Sequence, residues 1–184
     1  MKLKSIILLA VLAVTVGCAG IGSSILKMRP DYSKVPDAEL RAAADAIENA
    51  AVQGERDPQL GTFTGVNLDT PAIKQAIRTR AVRAKLVSDL LASGHAHEQQ
   101  SGTLKIMNSR EYKRSTTSRE RDQNALLVMN ENENRWTLYE GIRKASNWPA
   151  GALGAVQHTF YEARVALMAS GHKYENAQGN IVVK

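Results

Sequence analysis

Cysteine, aromatic residues and long apolar runs are all scarce in this chain. A single cysteine, Cys18, stands among 184 residues, so no disulfide can form within the chain and stability has to come from packing. Aromatics make up only 5% of the chain while alanines are many, which favours closely packed helices over a β-sandwich. The one long apolar run, residues 6–16, is too short to favour a spanning helix. Neither sign of charge dominates strongly: the formal net charge is +6, a mild excess compatible with anionic lipid headgroups or cell-wall polymer.

What surrounds the apolar run is informative. Lys2 and Lys4 precede it and Gly17-Cys18-Ala19-Gly20 closes it, which gives a charged region, an apolar region and a small-residue cleavage site. A cysteine at that point resembles the lipobox of bacterial lipoproteins, where cleavage falls before the cysteine and diacylglycerol and a fatty acyl chain are attached to it. Val16 and Gly17 fit, and Thr15 departs from the commonest residue. The alternative is an ordinary secretory signal with an incidental cysteine. Several acyl chains would anchor the protein stably, since each buried methylene contributes about 0.8 kcal/mol. Residues 1–17 are thus expected to be a signal peptide, 18–34 a lipidated tether rich in glycine and serine, and 35–184 a single domain. Ala19 after the cysteine implies, by the same resemblance, a lipid-anchored protein of the outer membrane facing the periplasm. Export argues against nucleic acid as a partner.

Four helices are expected. Residues 36–52 carry Leu40, Ala43, Ala44, Ile47, Ala50 and Ala51 on one face, with Gly54 as the stop. Thr70 and Pro71 open a second helix with Ile73, Ile77, Ala81, Ala84, Val87 and Leu91 at helical spacing; Arg78, Arg80, Arg83 and Lys85 are placed on its remaining surface. Residues 108–121 are read as a mobile surface loop. A third helix over 120–145 is given the inward stripe Leu126, Met129, Trp136, Tyr139 and Ile142, with a frayed or kinked turn at the polar residues 130–134. The last helix, from Pro149 to Ser170, turns Leu153, Val156, Phe160, Val165 and Leu167 inward.

One stretch occurs twice. Leu90-Leu91-Ala92-Ser93-Gly94-His95 returns as Leu167-Met168-Ala169-Ser170-Gly171-His172, and the match continues through Glu98 with Glu175 and Gly102 with Gly179. Each copy reads as a helix end, a glycine stop, a tight turn at the second glycine and a short strand. The fold class is therefore α+β, mainly helical, with about four helices and a small two-stranded antiparallel pairing of the Leu104 and Ile181 strands.

The C-terminal half resembles the YdbL-like family of small bacterial envelope proteins. The resemblance rests on Asn132-Glu133-Asn134-Arg135-Trp136-Thr137-Leu138-Tyr139-Glu140-Gly141-Ile142, on Asn147 in the turn, and on Gly171-His172-Lys173-Tyr174 with Gly179-Asn180-Ile181-Val182. His172 stands where the family has an acidic residue, Ile181 where it has an aromatic, and the loop over 108–121 is longer. The resemblance covers about half the chain. It implies a non-catalytic, accessory or chaperone-like subunit of an envelope lipid-transport or assembly complex, partnered by a lipid-bridge protein or another lipoprotein.

Candidate site residues follow from both sources. Arg135 and Tyr139 lie one turn apart and share a face; they and Tyr174 match the family pattern, and they are expected either to bond strand carbonyls or to meet a partner. Arg78 and Arg83 offer the alternative function, direct binding of cell-wall polymer or phospholipid through a basic helix face. His95, His97 and His172 are weak candidates for a metal, because zinc needs three or four converging ligands and each Gly-His pair also suits a helix C-terminus. A cryptic metal-dependent or serine hydrolase is the third reading. With Cys18 acylated, no thiol nucleophile is left, and no cofactor beyond that covalent lipid is expected.

Overall fold

The computed structural model describes residues 30–184, so Cys18, the expected signal peptide and most of the expected tether lie outside the described residues. The α-helices and strands that follow are α1 Asp37–Gln53, α2 Pro71–Ala92, β1 Ala96–Glu98, β2 Leu104–Ile106, α3 Arg110–Ser115, α4 Ser118–Ala145, α5 Leu153–Leu167, β3 Lys173–Glu175 and β4 Ile181–Val183, with a 3₁₀ turn Ala150–Ala152 leading into α5. The protein is α+β and dominated by helix. Among the described residues it has five α-helices rather than four, and a mixed four-stranded sheet rather than a two-stranded pair.

Local chemistry explains the helix ends. Thr70 Oγ1 accepts from the Ile73 N–H at 3.2 Å, and Pro71 occupies the first helical position, where a missing N–H costs nothing. Gly54 closes α1 in the left-handed region at φ 75°. The stretch over 108–121 is not a mobile loop, which corrects the expectation. Ser109 caps α3, whose Tyr112 is buried, and Thr117 with Glu120 forms a reciprocal capping box that starts α4. Ser109 and Thr117 therefore mark two helix starts.

A second correction concerns α4. It runs unbroken through 130–134, where the side chains of Glu131, Asn132 and Asn134 have partners inside the protein. Asn132 accepts from the Leu104 N–H at 2.8 Å and donates to the Leu104 carbonyl at 2.9 Å, so it serves β2 as a neighbouring strand would. The buried face carries Glu131, Arg135, Leu138, Tyr139 and Ile142. Leu126, Met129 and Trp136, expected inside, are each more than half exposed. In α5 likewise, Leu153, Val156 and Phe160 are buried, but the helix ends at Leu167, which is itself on the surface, and Met168 is already extended.

The sheet order is β2-β1-β3-β4. Each copy of the repeat is a complete hairpin, β1 with β2 and β3 with β4, and the copies meet through a parallel β1–β3 pair. The expected pairing of the Leu104 and Ile181 strands is overturned, since these are the two outer strands. The segment after each Gly-His is itself a strand, and it takes the central place. Within β1–β3, Glu98 stands opposite Tyr174 and not opposite its counterpart Glu175. This one-residue offset puts the two glutamates on opposite faces of the sheet.

The main core joins α1, α2, α4 and α5 around Leu40, Ile47, Ile73, Leu138, Ile142 and Phe160; a smaller one at the sheet gathers Val87, Leu90, Leu91, Ala96 and Leu104. Where α2 crosses α4, a Cβ on Gly141 would lie 2.9 Å from Ile73 Cγ1. Gly141→Ala is expected to destabilise by about 1 kcal/mol, because overpacking a buried crossing costs about 1–3 kcal/mol and outweighs the better helix propensity of alanine. Urea unfolding reads it, and a stabilised variant would mean the helices do not approach so closely.

Candidate functional site

The centre of the molecule is ionic. Glu48, Arg80, Glu98, Glu131, Arg135 and Arg164 are all more than nine-tenths buried. They come from α1, α2, β1, α4 and α5, and each of those elements turns its charge inward at a spacing shared with apolar core residues.

They form a closed ring of alternating sign. Arg80 gives Nη1 and Nη2 to the two oxygens of Glu48 at 2.9 and 2.7 Å, and Nε to Glu131 Oε1 at 3.0 Å. Arg135 gives Nε to the same Glu131 oxygen at 2.8 Å and both Nη atoms to Glu98 at 2.7 and 2.9 Å. Arg164 closes the circuit, with Nε on Glu98 Oε2 at 3.1 Å and Nη1 on Glu48 Oε1 at 3.0 Å. Every carboxylate meets two guanidinium groups and every guanidinium meets two carboxylates. Inside the ring, the Gly102 carbonyl accepts from the Tyr139 hydroxyl and from Arg164 Nη2, each at 2.9 Å. Gly102 holds the turn at φ 78°, where a Cβ would meet Tyr139 at 3.1 Å, so a side chain is excluded for both strain and space.

The ring holds Glu48, Glu98 and its three guanidinium groups in their charged forms. Burial on its own would raise the Glu98 carboxyl, but Arg135 and Arg164 override it and hold it at about 2. Glu48 is lowered in the same way, its burial outweighed by Arg80 and Arg164. The three guanidinium groups are raised: burial opposes this and the carboxylates prevail. Burial also raises the Tyr139 hydroxyl. Groups of this kind hold a fold in register and orient a ligand; they do not exchange protons near neutrality.

A cleft opens onto one side of the ring. It has a volume of about 600 Å³, lies between the C-terminal half of α1, α2 and the end of α5, and reaches the ring residues at its base. Val52, Val82, Val87, Leu91, Leu167 and Met168 supply apolar wall, and at the rim Lys85 pairs with Asp89 at 2.8 Å. Two atoms belonging to its lining residues are buried with no hydrogen-bond partner among the described residues: Glu131 Oε2 and His172 Nδ1.

The structure disperses some of the expected site residues and gathers others. Arg135 and Tyr139 are in the ring, and Tyr174 is half-buried in β3 beside Glu98. His95 Nε2 meets Ser115 at 3.2 Å, His97 lies in β1 opposite Lys173, and His172 lines the cleft. Among the described residues no group of three or more His, Cys, Asp or Glu is placed to hold a metal ion. Burial and the nearby Lys105 lower the His97 ring below its ordinary value. The basic surface of α2 is smaller than expected: Arg80, placed there by sequence, is buried, Arg78 pairs with Asp57, and Arg83 donates to the Asn130 carbonyl at 3.1 Å. Glu48, Arg80, Glu131 and Arg164 were not recognised as site residues. The available signal was their position in apolar stripes, as with Arg80 between Ile77 and Ala84, and the i, i+4 spacing of Glu131 and Arg135.

No family model matches this chain, and neither a curated protein nor a solved structure is significantly similar to it.

Proposed function

We propose that the protein is a non-catalytic lipoprotein of the bacterial envelope, anchored through Cys18 and acting as an accessory subunit in lipid transport or assembly, as the YdbL-like resemblance implies. The observation that carries the partner-binding part is the outer face of α4. Leu126, Met129 and Trp136 recur at steps that return to one side of a helix, and all three are exposed by more than half. Large apolar side chains gathered in this way mark surfaces that meet another protein. The fixed charges of the ring support the same reading, because they make a rigid frame behind that face. The anchor is supported by the single cysteine directly after the apolar run.

Two measurements test the reading. Intact mass of the membrane-extracted protein is expected to show acyl chains that Cys18→Ser abolishes; an unmodified Cys18 ends the anchor proposal. In crosslinked envelopes, the pair Met129→Asp and Trp136→Asp is expected to eliminate the crosslinked protein partner while unfolding free energy changes by no more than about 1 kcal/mol, as surface substitutions do. An unchanged crosslinking pattern would remove this face from the interaction.

A further inference from the structure

The cleft above the ionic ring has the makings of a ligand site that neither the anchor nor the α4 face uses. Its walls are apolar, and the exposed apolar side chains Val52, Val82 and Leu167 stand at its lining. Its base is polar but formally neutral, three carboxylates against three guanidinium groups, and the rim pair Lys85 with Asp89 is neutral as well. An ionised ligand head would enter this space with no counter-charge, which buried charge does not tolerate. The base also asks for hydrogen bonds of two kinds. Glu131 Oε2 is an acceptor without a donor, while each Arg80 Nη atom keeps a second hydrogen beyond the one given to Glu48. A hydroxyl satisfies both, donating to the carboxylate and accepting from the guanidinium. The unpaired His172 Nδ1 in the same lining favours a head with more than one hydroxyl. The volume of about 600 Å³ suits a small amphiphile.

We propose that the cleft binds a single-chain lipid with an uncharged polyol head, of the monoacylglycerol type, with its hydroxyls at Glu131 and His172 and its tail along Val82, Leu91 and Leu167. This goes beyond the accessory role and does not depend on acylation of Cys18.

The test uses the full chain in its own membranes and three photoreactive probes with the same diazirine-bearing tail: a 1-monoacylglycerol, the free fatty acid and a trimethylammonium amphiphile. After irradiation, peptide mapping is expected to place the monoacylglycerol label in the cleft segments of α2 and residues 167–172, about tenfold above either charged probe, the scale of a hydrogen bond to a buried carboxylate. Ala84→Trp, which fills the cleft from a lining position that is not a member of the ring, is expected to abolish that label, and Glu131→Gln to reduce it about tenfold by removing the acceptor oxygen. Cys18→Ser is expected to keep it, which separates failure of the anchor from failure of this site. No cleft labelling, meaning a cleft that holds only water, overturns the proposal. So do equal labelling by all three probes and labelling that survives Ala84→Trp.

Discussion

Arg135→Met is expected to remove about 3–5 kcal/mol of unfolding free energy, the cost of deleting one partner from a buried ion pair. Arg135 serves two carboxylates, and without it Glu98 keeps only Arg164 and Glu131 keeps only Arg80. Both acids are nearly inaccessible, so water cannot replace what is lost. A domain of this size has about 5–15 kcal/mol in total, so the variant sits near the edge of folding. Arg78→Met supplies the contrast, because its pair with Asp57 is exposed and such pairs are worth about 0–1 kcal/mol. Equal shifts of the urea midpoint in the two variants would show that the ring carries no special share of stability.

Acid is expected to unfold the protein over an unusually low window. Glu98 has an ordinary value of 4.5 and is held at about 2 in the folded state, where the charge of Arg135 and Arg164 overcomes burial. The folded value lies below the unfolded one, so the stabilisation is complete above about pH 4.5 and is lost as pH falls toward 2. A difference of this size corresponds to roughly 3 kcal/mol from Glu98 alone. His97 acts in the same direction at higher pH, because burial and Lys105 favour its neutral ring, which has to charge on acidification. Urea midpoints measured from pH 7 down to 2 test the window. Glu98→Gln is expected to lower stability at pH 7 and to flatten the dependence below pH 4.5; an unaltered slope would move the acid sensitivity elsewhere.

Much of the helical framework was legible because it is local. Thr70 with Pro71, and Gly54 and Gly94 as stops, act within a turn of their own residues. The ring was not legible, because every pairing in it except Glu131 with Arg135 joins residues 32 to 116 positions apart, and a charged side chain viewed alone belongs at the surface. That rule also misplaced part of α4. Tyr139 and Ile142 of the expected stripe are buried, but reading residues 130–134 as a frayed polar turn left Leu126, Met129 and Trp136 to face inward with them, whereas Glu131 and Arg135 take the inward side there. The central strands were missed for a related reason. Ala96-His97-Glu98 shows no alternation of apolar and polar residues, since the Glu98 side is covered by arginines and not by aliphatic chains. Arg135 and Tyr139 were singled out by pattern, but nothing local disclosed that both reach the Gly102 carbonyl.

The closed circuit also bears on how the chain folds. Each of its five elements supplies at least one charge, and the contact between Glu48 and Arg164 spans 116 residues. A partly assembled form that lacks any one element holds a charge with too few neighbours of opposite sign, and so it gains little from excluding water. Intermediates are penalised while the complete structure is not, which steepens the landscape toward a single cooperative transition. The long sequence separations put closure late, since distant segments meet only after the loops between them are drawn in. The ring thus works as a check on completeness, because its charges are all paired only when all five elements are in place.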